Sequence, residues 1–254
     1  MLEPDQDPWD PDAEDRWVSL LERHPEAFDS IDVLDDLACA LELHPEGPAL
    51  LAVGELQRVL VERAVRILRR AIDDQPVTAD SGEPDSVTLP WIDGVNRAAL
   101  RCLHTAHLLA FDRGELAAAR EHAELLLRLN PDDNHGVRAE FMNQLLRDGD
   151  NEAALDLAAR FADDTLAEIP YGRVLALVRL GREREAAAAA REAVERLPEV
   201  RRYLLRDRAK QPKVADYGIT IGGKDQAWFY REQMRDLWLA TPAALALIKR
   251  GSAA

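Results

Sequence analysis

The sequence lacks most of the features that mark secreted, membrane-spanning or disulfide-stapled proteins. It has 2 cysteines in 254 residues. That is too few for a disulfide framework, and Cys39 and Cys102 both fall on apolar helical stripes. Two such thiols suit a reducing compartment, so the cytoplasm is the expected location. No stretch approaches the ~18 uninterrupted apolar residues of a membrane span. The opening Met-Leu-Glu-Pro-Asp lacks the basic-then-apolar layout of a secretory leader. Aromatic residues make up only 6% of the chain, so a core must be built from Leu, Ala and Val. Lysine is scarce as well, 4 against 28 arginines. That ratio reads first as the codon bias of a GC-rich genome and only second as phosphate recognition.

Catalytic signatures are missing too. There is no Gly-x-Ser-x-Gly, no His-Glu-x-x-His and no cluster of Cys and His. The run Gly218-Ile-Thr-Ile-Gly-Gly-Lys224 lacks the spacing of a phosphate-binding loop and reads as a loop before a helix. Acidic residues are spread over solvated helix faces. Neither an enzymatic activity nor a cofactor is expected. The net charge of −15 disfavours nonspecific binding to nucleic acid or to anionic membranes, which runs on cationic surface. The expected partner is a protein, with oligomeric state left open.

What the chain does have is periodicity. Gly114, Gly149 and Gly181 interrupt apolar-periodic runs at intervals of 35 and 32 residues, and Pro131 and Pro198 stand 67 residues apart. Gly at a hairpin turn and Pro at a repeat exit, with a period near 34, predict an all-α, tetratricopeptide-like right-handed superhelix of antiparallel helix pairs. Leu103, His107 and Phe111 are expected along its first helix, Leu116, Ala119 and Ala123 along the second, and Tyr171, Val174 and Val178 along the fifth. Helices over residues 225–239 and from Thr241-Pro242 onward are expected to seal the end of the array.

Four segments follow from composition. Residues 1–15 carry seven carboxylates, three prolines and no basic residue, and read as a flexible acidic arm. Residues 16–73 read as an N-terminal helical part, 74–88 as a flexible connection rich in breakers, and 89–254 as the array with its capping helices. Residues 196–213 carry seven basic residues against two acidic ones, so the acidic arm folding back on them is one expectation.

The ordered pieces Leu89-Pro-Trp91, Asn96-Arg97, Leu103-His104, Leu129-Asn-Pro-x-Asp-Asn134-x-Gly136-x-Arg138, Tyr171-Gly-Arg173 and Trp238-x-x-Thr241-Pro resemble a tetratricopeptide-like domain of uncharacterised bacterial proteins. The segment around Asp133 is also similar to the helical domain of the suppressor-of-tumorigenicity-7 family. The resemblance implies a helical scaffold without an established activity. The first-helix pattern of Trp, small residue and Tyr is absent, with Leu103, His107 and Ala110 in those places, so no peptide-carboxylate clamp carries over.

Two readings of the Asp132–Arg138 turn stand side by side. It can be a helix cap, with Arg138 pairing with a carboxylate. Alternatively it can join Trp91, Arg97, Asn134, Tyr171 and Arg173 in a partner-binding patch, since Arg and Tyr are favoured anchors. The functional expectation is a scaffold or adaptor that docks a partner segment on the inner surface of the array. The alternative is a metal-dependent or enzymatic protein using His104 and His107, whose i,i+3 spacing can bring two imidazoles to one metal. Nucleic-acid-linked regulation through the basic stretch ranks third.

Overall fold

The computed structural model describes residues 19–43, 51–74, 87–214 and 218–250. The acidic arm, Trp9, Trp17, most of the expected connection at 74–88, and Asp216 lie outside the described residues. The structure is all-helical, with no strand among the described residues, as the periodicity predicts. It divides into two compact units, Met1–His135 and Gly136–Ala254.

The first unit contains α1 (Ile31–Glu42), α2 (Leu51–Asp73), α3 (Arg97–Asp112) and α4 (Leu116–Leu129), with 3-10 turns at Pro25–Asp29 and Gly94–Asn96. Leu34 and Leu41 of α1, Leu60 and Ala64 of α2 and Cys102 of α3 share one core. The i,i+3/i+4 spacing of these residues on each helix dictates which stripe turns inward. The buried carboxylate of Asp35 is matched by Arg101, whose Nε lies 2.9 Å away. The Cys102 thiol also approaches Asp35 at 3.7 Å, and burial raises its pKa, so it behaves as a small core side chain.

The second unit contains α5 (Val137–Asp148), α6 (Asn151–Arg160), α7 (Glu168–Arg179), α8 (Glu183–Arg196), α9 (Pro198–Leu204), α10 (Lys224–Ala240) and α11 (Pro242–Arg250). Successive helices pack in pairs: α5 on α6, α7 on α8, α9 on α10, with α11 against α8 and α10. Ala186, Ala190 and Ala193 line the buried face of α8, where small side chains let neighbouring helices approach closely. Met142, Leu146, Tyr171, Tyr230 and Trp238 are fully buried. Tyr171 lies 5.8 Å from Tyr230 and 5.9 Å from Trp238 between ring centroids.

The three hairpin glycines behave alike in both units. Gly114, Gly149 and Gly181 have φ of 74°, 78° and 70°, a left-handed conformation that a Cβ opposes. Just beyond each, the N–H of Glu115, Asp150 and Arg182 reaches the carbonyl five residues back, each at 2.9 Å. This satisfies an orphaned helix-end carbonyl, as a Schellman cap does. Phe111 and Leu116, expected to line the core, are instead 43% and 42% exposed. Both lie at helix ends beside the Gly114 turn.

Candidate functional site

The turn after α4 is tight because Asp133 adopts φ 47° and donates its N–H to Asn130 O at 3.0 Å. Asp133 is buried, Asn134 is exposed, and His135 packs between Trp91 and His104 of α3. The His135 ring stands edge-on to Trp91 with centroids 4.8 Å apart, and 5.0 Å from the His104 ring. Arg97 donates from Nε to Trp91 O at 3.0 Å and holds its guanidinium 5.0 Å from the Trp91 ring centroid. Both ring nitrogens of His135 are buried without a hydrogen-bond partner. Burial first, then the neighbouring His104, pushes its pKa down to about 4. This is a packed aromatic corner of the first unit.

His104 and His107 do not converge. His107 is buried, with Nδ1 2.8 Å from Ala119 O on α4, while the His104 ring faces His135. Among the described residues no group of three or more His, Cys, Asp and Glu is arranged to hold a metal ion.

The other expected contact residues belong to the second unit. Arg138 pairs with Asp164 and lies 5.3 Å from the Phe161 ring centroid. Asp164 also accepts the Leu166 N–H at 2.9 Å. Tyr171 is wholly inside: its hydroxyl donates to Leu197 O at 2.8 Å and accepts from the Arg201 N–H at 3.1 Å. Arg173 is half-exposed, 3.4 Å from Glu192. The N-cap of α5 is Gly136, in the left-handed region, with no side-chain hydrogen bond.

The most concentrated basic charge of the second unit runs from the end of α8 through α9 and the segment that follows it. Arg196 and Arg201 are used internally: Arg196 donates to Ala162 O at 3.0 Å, and Arg201 to Ile248 O at 2.7 Å at the end of α11. Cations at a helix C-terminus also complement its dipole. Arg202, Arg206, Arg208, Lys210 and Lys213 are exposed. Within residues 202–213 Asp207 is the single acidic residue, and Arg235 lies 3.7 Å from it. The segment is held by Arg231 of α10, a buried guanidinium that donates to the carbonyls of Tyr203 at 3.1 Å, Arg206 at 3.4 Å and Asp207 at 3.1 Å. Sequence reasoning singled out the basic stretch but missed Arg231. Its signal was an arginine in register with the buried stripe Ala227, Tyr230 and Met234.

Charge is also divided unequally between the units. Gly136–Ala254 carries 20 Lys and Arg against 18 Asp and Glu, a net +2, whereas Met1–His135 carries 12 against 29. The acidity of the whole chain therefore belongs to the first unit.

Helices packed in pairs and carrying an exposed basic segment define an all-helical class of fold, one that hosts many unrelated functions. Residues 56–225 match the family model of the transcriptional repressor TCF25, about two thirds of the chain, and the chain belongs to that family. No curated protein matches it. The family match corrects the resemblance to tetratricopeptide-like domains of uncharacterised bacterial proteins and to the suppressor-of-tumorigenicity-7 family. Glycine at hairpin turns and proline at repeat exits report backbone geometry, which unrelated lineages share. It also corrects the expectation of a scaffold or adaptor, and the metal-dependent or enzymatic alternative on His104 and His107, because the family is described by repression of transcription. No helix among the described residues is long and apolar enough to cross a membrane.

Proposed function

We propose that the chain takes part in transcriptional repression and contacts nucleic acid through the exposed basic surface of residues 202–213. The observation that carries this reading is the crowding of Arg206, Arg208, Lys210 and Lys213 on one exposed segment of a unit that is net positive. Cations so disposed release condensed counterions when they meet phosphates, and that release drives binding. At physiological salt the field of the acidic unit is screened over about 8 Å, so the local sign of charge decides what can approach. On this reading the protein works where the genome is rather than generally in the cytoplasm, and no catalytic reaction is assigned to it.

The test is fluorescence anisotropy with labelled mixed-sequence oligonucleotides, single-stranded and duplex, across a salt series. With about four phosphates neutralised, log K should fall against log salt with a slope of roughly −3 to −4. The quadruple variant Arg206→Gln, Arg208→Gln, Lys210→Gln, Lys213→Gln should lose that binding while keeping its helical circular dichroism. Binding by neither probe at low salt, or equal binding by the variant, rules the reading out.

A further inference from the structure

We infer that the basic surface is built for single-stranded nucleic acid, with Trp228 of α10 as the platform on which an unpaired base stacks; this rests on the function proposed above. Duplex recognition at such a surface needs only phosphate contacts, or an element that enters a groove. Single strands are held by a cationic track combined with aromatic faces, because unpaired bases offer their own faces for stacking.

The register of α10 brings these two features together. Residues spaced by three and seven share a helix face, so Trp228, Arg231 and Arg235 lie along one side. Arg231 from that side holds the carbonyls of Arg206 and Asp207, and Arg235 approaches the Asp207 carboxylate. The face that carries Trp228 is therefore the face that receives the basic segment. Trp228 is half-buried in a unit whose other tryptophan, Trp238, is wholly buried. Its ring meets that of Phe229 with centroids 5.0 Å apart and planes crossing at 74°. An edge-to-face neighbour of this kind fixes the ring while leaving indole surface available. Acidic groups near the segment are matched internally, Glu199 by Arg202 and Glu232 by Arg231.

The probes are a fluorescein-labelled mixed-sequence 12-mer and the duplex of the same sequence, with the full chain at low salt. The single strand should bind at least about tenfold tighter than the duplex. Trp228→Leu should weaken single-strand binding about fivefold or more, as expected for loss of one stacked base, and leave duplex binding unchanged. Trp228→Tyr should restore most of it. A second measurement needs no variant: a strand carrying 5-iodouracil should photocrosslink to the wild-type chain at Trp228, mapped by mass spectrometry. Duplex binding as tight as single-strand binding, or crosslinks mapping only elsewhere, overturns the inference and leaves the proposed function standing. Failure of both probes to bind removes the two together.

Discussion

Tyr171 and His135 show how a side chain's role depends on what its neighbours leave for it. Both belong to polar clusters that looked like contact surface in the sequence. The structure buries the Tyr171 ring, and its hydroxyl finds two backbone partners there, donating to the Leu197 carbonyl and accepting from the Arg201 N–H. Nothing in Tyr171-Gly-Arg173 distinguishes such a residue from an exposed anchor, because the carbonyl it bonds lies 26 residues away. His135 is the more testable of the two. Its folded-state pKa, about 4, lies below the ~6.5 of a solvated histidine. Between those values the unfolded chain binds the extra proton, so stability rises with pH and is lost as pH falls through that window. The groups around it act in opposite senses, His104 and Arg101 against the proton and Asp133 for it. After allowance for solvent at this half-buried site, the effect is on the order of 1–2 kcal/mol between pH 6.5 and 4. Denaturant melts of wild type and His135→Phe at several pH values should show a slope in the wild type that the variant largely lacks. Parallel curves would mean that the ring titrates normally.

At the scale of the helices, most of the fold was legible. The apolar stripes, the hairpin glycines and the Thr241-Pro242 start of the last helix each report a local rule, and local rules survive whatever tertiary context surrounds them. Contacts between helices distant in sequence were not legible, and Gly172 shows why. It sits inside α7 with an ordinary helical backbone, where glycine is normally a cost. A Cβ built there would lie 2.8 Å from Met142 Cγ and 2.9 Å from its Sδ, with Leu146 Cδ1 at 3.1 Å. Met142 and Leu146 are themselves fully buried on α5, so they have little room to retreat. The glycine sets how closely α5 and α7 approach. Gly172→Val should therefore destabilise the protein by about 1–3 kcal/mol through overpacking, although the substitution raises helix propensity. Pairing it with Met142→Ala should recover part of that loss. If the double variant is less stable than the sum of the two single effects, the close approach is not what selects glycine.

For the whole molecule, the net charge is an average over two unlike units. A value of −15 for 254 residues suggested a surface hostile to polyanions. It averaged over two units that differ by 19 charges: −17 for Met1–His135 and +2 for Gly136–Ala254. Electrostatic attraction acts over roughly a Debye length, so the unit that carries the basic segment is the relevant body. The second unit has its own buried centre in Tyr171, Tyr230, Trp238 and Met142. A chain of residues 136–254 should accordingly fold alone, giving a helical spectrum and a single cooperative thermal transition. It should also bind single-stranded oligonucleotide more tightly than the full chain at low salt, because the repulsion of the acidic unit is gone. The two affinities should converge as salt rises and screens that repulsion. A gap that persists at high salt would have to come from something other than charge. A fragment that folds but binds less tightly at every salt concentration would show that the acidic unit contributes contacts of its own.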